Sequence, residues 1–120
     1  MSATRKETST NSENRGALGR ACLLNDSLAR IGARWKMQTL YEMARGAESF
    51  GALKQALPRV SDQMLSTRLR ELVNEGLATR MAEPLGEAPA RTTYRPTPRG
   101  FALLAIMERL CEWESSGPRT

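Results

Sequence analysis

Two short stretches with apolar residues at helical spacing, one on each side of Pro58, constrain the fold of this chain most strongly. In SFGALKQALP, residues 49–58, one helical face carries Phe50, Leu53 and Leu57. In VSDQMLSTRLRELVNEG, residues 60–76, one helical face carries Leu65, Leu69, Leu72 and Val73. Ser49 and Ser61 precede these faces as N-cap residues. Two short helices joined by the tight connection LPRV have the layout of a helix-turn-helix, at about residues 49–75.

The second of these helices has a polar face opposite its leucines. That face carries Gln63, Thr67, Arg70 and Asn74. It is either a solvated surface or a surface that contacts base pairs, since Gln can pair with adenine and Arg with guanine in the major groove. The chain has 18 Lys and Arg against 13 Asp and Glu, a net charge of +5, and arginine supplies most of the positive charge. This excess suits an anionic partner such as double-stranded DNA.

The rest of the chain predicts a single domain at residues 19–115. Residues 1–18 are polar and predict a disordered tail, and residues 116–120 a second tail. CLLNDSLARIG predicts a first helix that ends at Gly32, and helical spacing resumes at Ala33 and continues to Gly46. LATRMAEP and ARTTYRPT flank a turn-rich segment and predict a β-hairpin, or wing, at about residues 77–96. PRGFALLAIMERLCEW predicts a final helix at about residues 98–113.

Apolar residues cover well over half of the final helix, more than one side of a small core can bury. A second copy of the chain is the simplest cover, so we expect a homodimer with helical dimerisation elements at both ends of the domain. The residues expected at the dimer interface are Leu24, Leu28, Leu103, Met107, Leu110, Cys111 and Trp113.

Several classes of function are disfavoured by what the sequence lacks. The chain has no histidine, which removes the usual general base and most zinc sites, so we expect no enzyme, no metal and no cofactor. It has no run of 18 apolar residues, and its N-terminus is too polar for a secretory signal. We therefore expect a soluble cytoplasmic protein that contacts no membrane. Cys22 and Cys111 are too far apart in sequence for a CxxC motif and should be reduced inside a cell.

Between Cys22 and Trp113 the chain resembles the HxlR-type winged-helix transcriptional regulators of the MarR-like group. Trp35 follows Cys22 by thirteen positions within IGARW, which is similar to the family's IGGKW. SFGALKQALPRVS, LSTRLREL and TYRPTPRG are similar to the family's helix-turn-helix, recognition helix and post-wing motifs. The resemblance implies a mainly helical fold with a small β-hairpin, that is, a winged helix-turn-helix domain. It also implies that the protein binds a pseudo-palindromic operator as a homodimer.

The resemblance implies DNA contacts from the turn, the recognition helix and the wing. The candidates are Arg59, Ser61, Gln63, Ser66, Thr67, Arg68, Arg70, Arg91 and Arg95. Arg68 lies at the edge of the helix, so a phosphate contact and an internal ion pair are both open. Arg91 and Arg95 either reach the minor groove and its phosphates or are solvated strand charges.

Two departures from the family pattern affect the backbone. Arg59 replaces the usual turn glycine, so we expect a left-handed backbone at a residue that carries a β-carbon, at a cost of about 1 kcal/mol. Pro96 replaces a strand leucine and lacks an N–H donor, so the second strand should end there.

The resemblance also implies that Cys22 can be a sensor of oxidants or electrophiles, since some members of the family use an N-terminal cysteine in this way. A buried structural thiol is the alternative. An oxidative bridge from Cys22 to Cys111 of a second chain is a further hypothesis. A module of the same fold that binds protein partners, with only weak non-specific DNA binding, is the alternative to the whole functional prediction.

Overall fold

The computed structural model describes residues 9–118, which form five helices and one two-stranded antiparallel hairpin. In chain order these are α1 (Ser9–Ile31), α2 (Lys36–Ala44), α3 (Phe50–Ala56), α4 (Asp62–Asn74), β1 (Ala78–Leu85), β2 (Ala88–Pro96) and α5 (Pro98–Ser115). The chain divides after Ala33 into two units, which are described one at a time. The prediction of a mainly helical chain with one small hairpin is confirmed.

In the first unit, α1 begins at Ser9, so the prediction of a disordered tail is wrong for residues 9–18. Residues 1–8 of that predicted tail lie outside the described residues. The polar segment has no apolar face of its own, but the residues directly after it have helical spacing. Because adding residues to an existing helix costs far less free energy than nucleating one, the helix extends into the polar segment. At the other end, the N–H of Gly32 donates to the carbonyl of Leu28 over 2.8 Å, and the helix stops where the glycine predicts.

The second unit begins with an unexpected turn at Trp35. Helical spacing predicts a helix from Ala33, but α2 begins at Lys36 because Trp35 has a φ of 74°, in the left-handed region. Within residues 9–118, Trp35 alone among the residues other than glycine has a positive φ. The prediction of a left-handed backbone at Arg59 is therefore wrong, and the LPRV turn forms without a residue in that conformation.

The core of the second unit is built from one apolar stripe of each element. Its fully buried side chains come from α2, α3, the turn and α4, and include Leu40, Met43, Leu53, Val60, Leu65 and Leu72. Half-buried side chains from the wing and from α5, among them Tyr94, Leu103 and Leu104, pack against this cluster. The leucine face predicted for α4 is thus its buried face, which leaves the opposite face of that helix at the surface.

The wing is the antiparallel pair β1 and β2, closed by a turn in which Gly86 has a φ of 66°. Arg80 lies opposite Tyr94 in the register, and Glu83 lies opposite Arg91. Because side chains alternate along a strand, the Arg80 and Tyr94 pair belongs to the face that packs on the core, and Glu83 and Arg91 belong to the outer face. β2 ends at Pro96, as the sequence predicts.

The base of the wing is fastened to the first turn of α5 through Thr97. The Thr97 hydroxyl accepts from the N–H of Gly100 over 3.0 Å and donates to the carbonyl of Gly76 over 2.6 Å. The N–H of Thr97 donates to the carbonyl of Leu77 over 3.0 Å. The N-cap of α5 thus joins the end of α4 to the end of the wing, which sets the position of the hairpin beside that helix.

Candidate nucleic-acid interface

Helices α3 and α4 form the predicted helix-turn-helix, and side chains fix the turn between them. The hydroxyls of Ser49 and Ser61 accept from backbone N–H groups in the first turns of α3 and α4, each over 3.0 Å, as predicted for N-caps. The ammonium of Lys54 donates to the carbonyl of Val60 and lies 3.3 Å from Oδ1 of Asp62. One lysine therefore joins α3, the turn and the start of α4. Sequence analysis did not single it out.

The outward face of α4 is accessible, as a surface for DNA contact requires. The exposed candidates on the turn and on this face are Arg59, Ser61, Gln63, Ser66 and Arg70. Thr67 is half-buried, and its hydroxyl donates to the carbonyl of Gln63 over 2.9 Å. That bond holds the Thr67 hydroxyl within its own helix, while the Gln63 side chain remains exposed.

Arg68 makes the internal contacts that were one of its two alternatives. Its Nη1 lies 2.8 Å from Oε1 of Glu71, and its Nε donates to the carbonyl of Arg34 over 2.7 Å. The side chain is largely buried, with 14% of its area exposed. These bonds use two of the three guanidinium nitrogens, so Arg68 supports α4 from inside the protein. A direct DNA contact by Arg68 is now the weaker of the two alternatives.

A buried lysine supports the same part of α4. Lys36 is only 2% exposed, and its ammonium lies 2.9 Å from Oε2 of Glu75 and 3.3 Å from Oε1 of Glu71. Burial raises the pKa of Glu71, but hydrogen bonds and charges from Arg68 and Lys36 outweigh it, so the pKa lies below its ordinary value. The C-terminal half of α4 is thus held to the start of α2 by an ion-pair network that sequence analysis missed.

The wing arginines lie on the outer face of the hairpin. Arg91 is exposed opposite Glu83, and Arg95 is exposed with its Nε 3.2 Å from Oε1 of Glu48. An ion pair between exposed groups is weak, of the order of 1 kcal/mol or less, and a phosphate can replace the carboxylate. Both arginines therefore remain available to an anion.

Between α4 and the wing the second unit has a cleft of about 240 Å³. Its lining combines an apolar floor with two arginines: Phe50, Ser66, Leu69, Arg70, Val73, Asn74, Arg80 and Tyr94. Sequence analysis identified Ser66 and Arg70 but missed Arg80. The alternation of side chains along β1 could have identified Arg80. Arg80 is two residues after the buried Ala78, so it lies on the same face of the strand, toward the domain.

The residues predicted at a dimer interface are mostly exposed. On α1, Cys22, Leu24 and Leu28 are exposed. On α5, Leu110, Cys111 and Trp113 are exposed, whereas Met107 is half-buried and Leu103 packs partly against the core. Both thiols are exposed and free within the single chain, which favours the accessible over the buried, structural alternative for Cys22. The part of the chain that the structure describes has no cluster of metal-binding side chains and no helix that could cross a membrane.

Comparisons with known proteins agree with this architecture. Residues 30–118 match the family model described as HxlR-like helix-turn-helix. YdzF of Bacillus subtilis, an uncharacterized HTH-type transcriptional regulator, is 36% identical over 90 residues, which cover 72% of this chain and 79% of YdzF.

Two solved structures are similar along most of their length. A protein of Enterococcus faecalis V583, described as a MarR-family transcriptional regulator, has a TM-score of 0.70 and 28% identity over 97% of this chain and 93% of its own. The reduced form of the transcriptional regulator YodB of Bacillus subtilis has a TM-score of 0.67 and 27% identity over 74% and 85%. YodB has also been solved after treatment with diamide. By its family match and its relatives, this chain belongs to the HxlR-like helix-turn-helix family of transcriptional regulators, not to a class of enzymes.

Proposed function

We propose that this protein binds a pseudo-palindromic operator in intracellular DNA as a homodimer, and that oxidation of Cys22 alters this binding. The single observation that carries the proposal is the exposed polar face of α4 beside an arginine-bearing wing. Gln63 lies on that face and is of a residue type that pairs with adenine in the major groove, and Arg70 on the same helix can contact a base or the backbone. The other candidate contacts, on the turn and the wing, suit the phosphates on either side.

The homodimer is supported by apolar surface that one chain leaves uncovered. On α5, Ile106 is 60% exposed and Trp113 is 68% exposed, and on α1 Leu24 and Leu28 are exposed as well. Large apolar side chains at this density on one helix indicate an interface. Two-fold symmetry then presents two copies of α4 to successive major grooves, roughly 34 Å apart, which is the spacing of operator half-sites.

Regulation by oxidation is supported by the accessibility of the thiols. Cys22 and Cys111 are exposed and free, and access is a requirement for a sensor thiol. Diamide oxidises pairs of thiols to disulfides, and the similar regulator YodB has been solved in its reduced and diamide-treated forms. A bridge from Cys22 of one chain to Cys111 of the other would change the geometry in which the two copies of α4 meet DNA.

The proposal is tested by fluorescence anisotropy with the full-length, reduced protein on duplexes that tile the DNA upstream of its own gene, at about 0.15 M salt. We expect one segment to bind roughly a thousandfold more tightly than a scrambled duplex. Equal and weak binding to every duplex would contradict sequence-specific regulation and would favour the protein-interaction module.

The same assay tests the thiols when the protein is first treated with diamide. We expect the operator affinity to change in the wild type and to stay constant in Cys22→Ser. On non-reducing gels, a covalent dimer should form in the wild type and be absent from Cys111→Ser. A covalent dimer that persists in Cys111→Ser would exclude the proposed pairing, and an unchanged affinity in the wild type would exclude Cys22 as the sensor.

A further inference from the structure

The cleft between α4 and the wing leaves two positive charges without a partner. Of the twelve basic residues within residues 34–118, five have carboxylates within 4 Å: Lys36, Arg45, Lys54, Arg68 and Arg95. Arg70 and Arg80 line the cleft, and neither is in an ion pair among the described residues. No carboxylate is among the lining residues. The cleft is therefore a place where positive charge remains available.

On the helical side, the polar lining residues form one stripe. Ser66, Arg70 and Asn74 are spaced four residues apart, so they lie one above the other on the side of α4 that borders the wing. A hydroxyl, a guanidinium and an amide thus follow one another along the cleft. Each of these groups can donate a hydrogen bond to an oxyanion.

On the wing side, Arg80 comes from the inner face of the hairpin. Ala78, two residues earlier on that face, is buried, and Tyr94, opposite Arg80, packs against the core. Arg80 is nevertheless exposed, because the cleft opens in front of it. The backbone N–H of Tyr94 donates to the carbonyl of Glu48 over 2.8 Å, which fastens this part of the wing to the segment before α3. Arg80 therefore extends from a fixed backbone.

We infer that Arg70 and Arg80 together bind one phosphodiester of the DNA backbone between the recognition helix and the wing, with Ser66 and Asn74 as neutral donors. Planar guanidinium groups match phosphate oxygens and form short, charge-assisted hydrogen bonds with them. A cleft with low-dielectric walls concentrates their positive potential. This inference rests on the proposed function, because the phosphodiester belongs to the operator.

A phosphate held from both sides has a consequence for specificity. It joins the wing to α4 through the DNA itself and fixes the depth at which Gln63 and Thr67 meet the base edges. Arg80 is then a positioning residue that contributes affinity without contacting a base. Its loss should weaken binding to the operator and to the scrambled duplex by similar factors.

The test is a double-mutant cycle on operator affinity, with Arg70→Ala, Arg80→Ala and the double variant measured over a range of salt concentrations. Arg45→Ala, which removes an exposed arginine at the end of α2, outside the cleft lining and the predicted dimer interface, is the matched control for net charge. We expect each single variant to lose roughly tenfold in affinity and the control to lose less than twofold. One shared phosphate in each half-site predicts that the double variant, as a dimer, lowers the slope of log K against log[salt] by about 1.8 in total.

A total loss of about 3.6 in that slope would mean two separate phosphates in each half-site and would overturn the shared site. Unchanged affinity in both single variants would also overturn it. If the wild type binds no duplex specifically, the proposed function itself has failed. That failure is distinguished from failure of the shared site because wild-type binding is measured before any variant. Thermal melting confirms that the variants fold, as expected for two exposed side chains.

Modified duplexes identify the phosphate and its source. Neutral methylphosphonates replace the operator phosphates one at a time, and we expect one position in each half-site to cost the wild type affinity and to cost the double variant none. Inorganic phosphate is added in parallel at constant ionic strength. Displacement of DNA no greater than with chloride supports the phosphodiester as the ligand. Stronger displacement by phosphate would assign the cleft to a free oxyanion and overturn the inference.

Discussion

Gly100 allows the backbone of α5 to approach the base of the wing more closely than any other residue would permit. It is buried in the first turn of α5, and a β-carbon there would lie 2.1 Å from the carbonyl oxygen of Leu77. Such a contact with backbone cannot be relieved by a rotamer change. The family motif indicates a glycine at this position, but the reason becomes visible only when the helix and the wing are placed together.

We expect Gly100→Ala to destabilise the protein by about 2 to 3 kcal/mol, because the new methyl group forces α5 away from Leu77 and disturbs the Thr97 cap. Gly51→Ala is the matched control, since Gly51 is exposed within α3 and its added β-carbon meets no atom within 4 Å. That change should stabilise the helix by about 0.5 to 1 kcal/mol. Urea denaturation measures both. Equal stability of the two variants would contradict the close approach.

The position of the recognition helix depends on a charged network at its C-terminal half. Glu71 accepts from Arg68 and pairs with Lys36, and Glu75 pairs with the same lysine. The sequence predicts the buried leucines of α4 from their spacing, yet it gives no sign that Lys36 is buried. A lysine at a helix start is ordinarily solvated, and only the assembly of α2 against α4 removes it from water. Periodicity therefore predicts the elements, and charge pairing across elements is what it misses.

The network predicts a dependence of stability on pH. Because the pKa of Glu71 is lowered in the folded protein, the folded state takes up the proton less readily than the unfolded state. The stabilisation that ionised Glu71 contributes is complete above the ordinary glutamate pKa of about 4.5. It is lost as the pH falls through the lower pKa that Glu71 has in the folded protein. We expect the free energy of unfolding to decrease below about pH 4.5, and to decrease less steeply in Glu71→Gln.

Glu87→Gln is the control for that measurement, since Glu87 is exposed in the turn of the wing. Denaturant titrations of the three proteins between about pH 3 and pH 6 give the free energies. A pH dependence in Glu71→Gln that matches the wild type would mean that Glu71 contributes nothing to acid sensitivity, contrary to its contacts with Lys36 and Arg68.

For the molecule as a whole, the exposed apolar surface of α5 is the surface on which the proposed homodimer depends. Leu110 and Trp113 are exposed on that helix and add nothing to the core described above. We therefore expect Leu110→Ala combined with Trp113→Ala to leave the fold intact while removing the dimer, so that the mass by light scattering falls from twice 13.3 kDa to 13.3 kDa. Operator affinity should fall by at least roughly tenfold, because a monomer engages one half-site at a time.

Met81→Ala is the control that shows whether the dimer is lost through α5 in particular or through removal of any exposed apolar side chain. Met81 is exposed on the wing to an extent similar to Leu110, so its truncation matches the Leu110 part of the double variant while leaving α5 untouched. The control should remain a dimer by light scattering at every concentration at which the double α5 variant is a monomer. If the α5 variant also remains a dimer, the interface lies elsewhere. The exposed apolar surface of α1, which includes Leu24 and Leu28, would then carry the dimer.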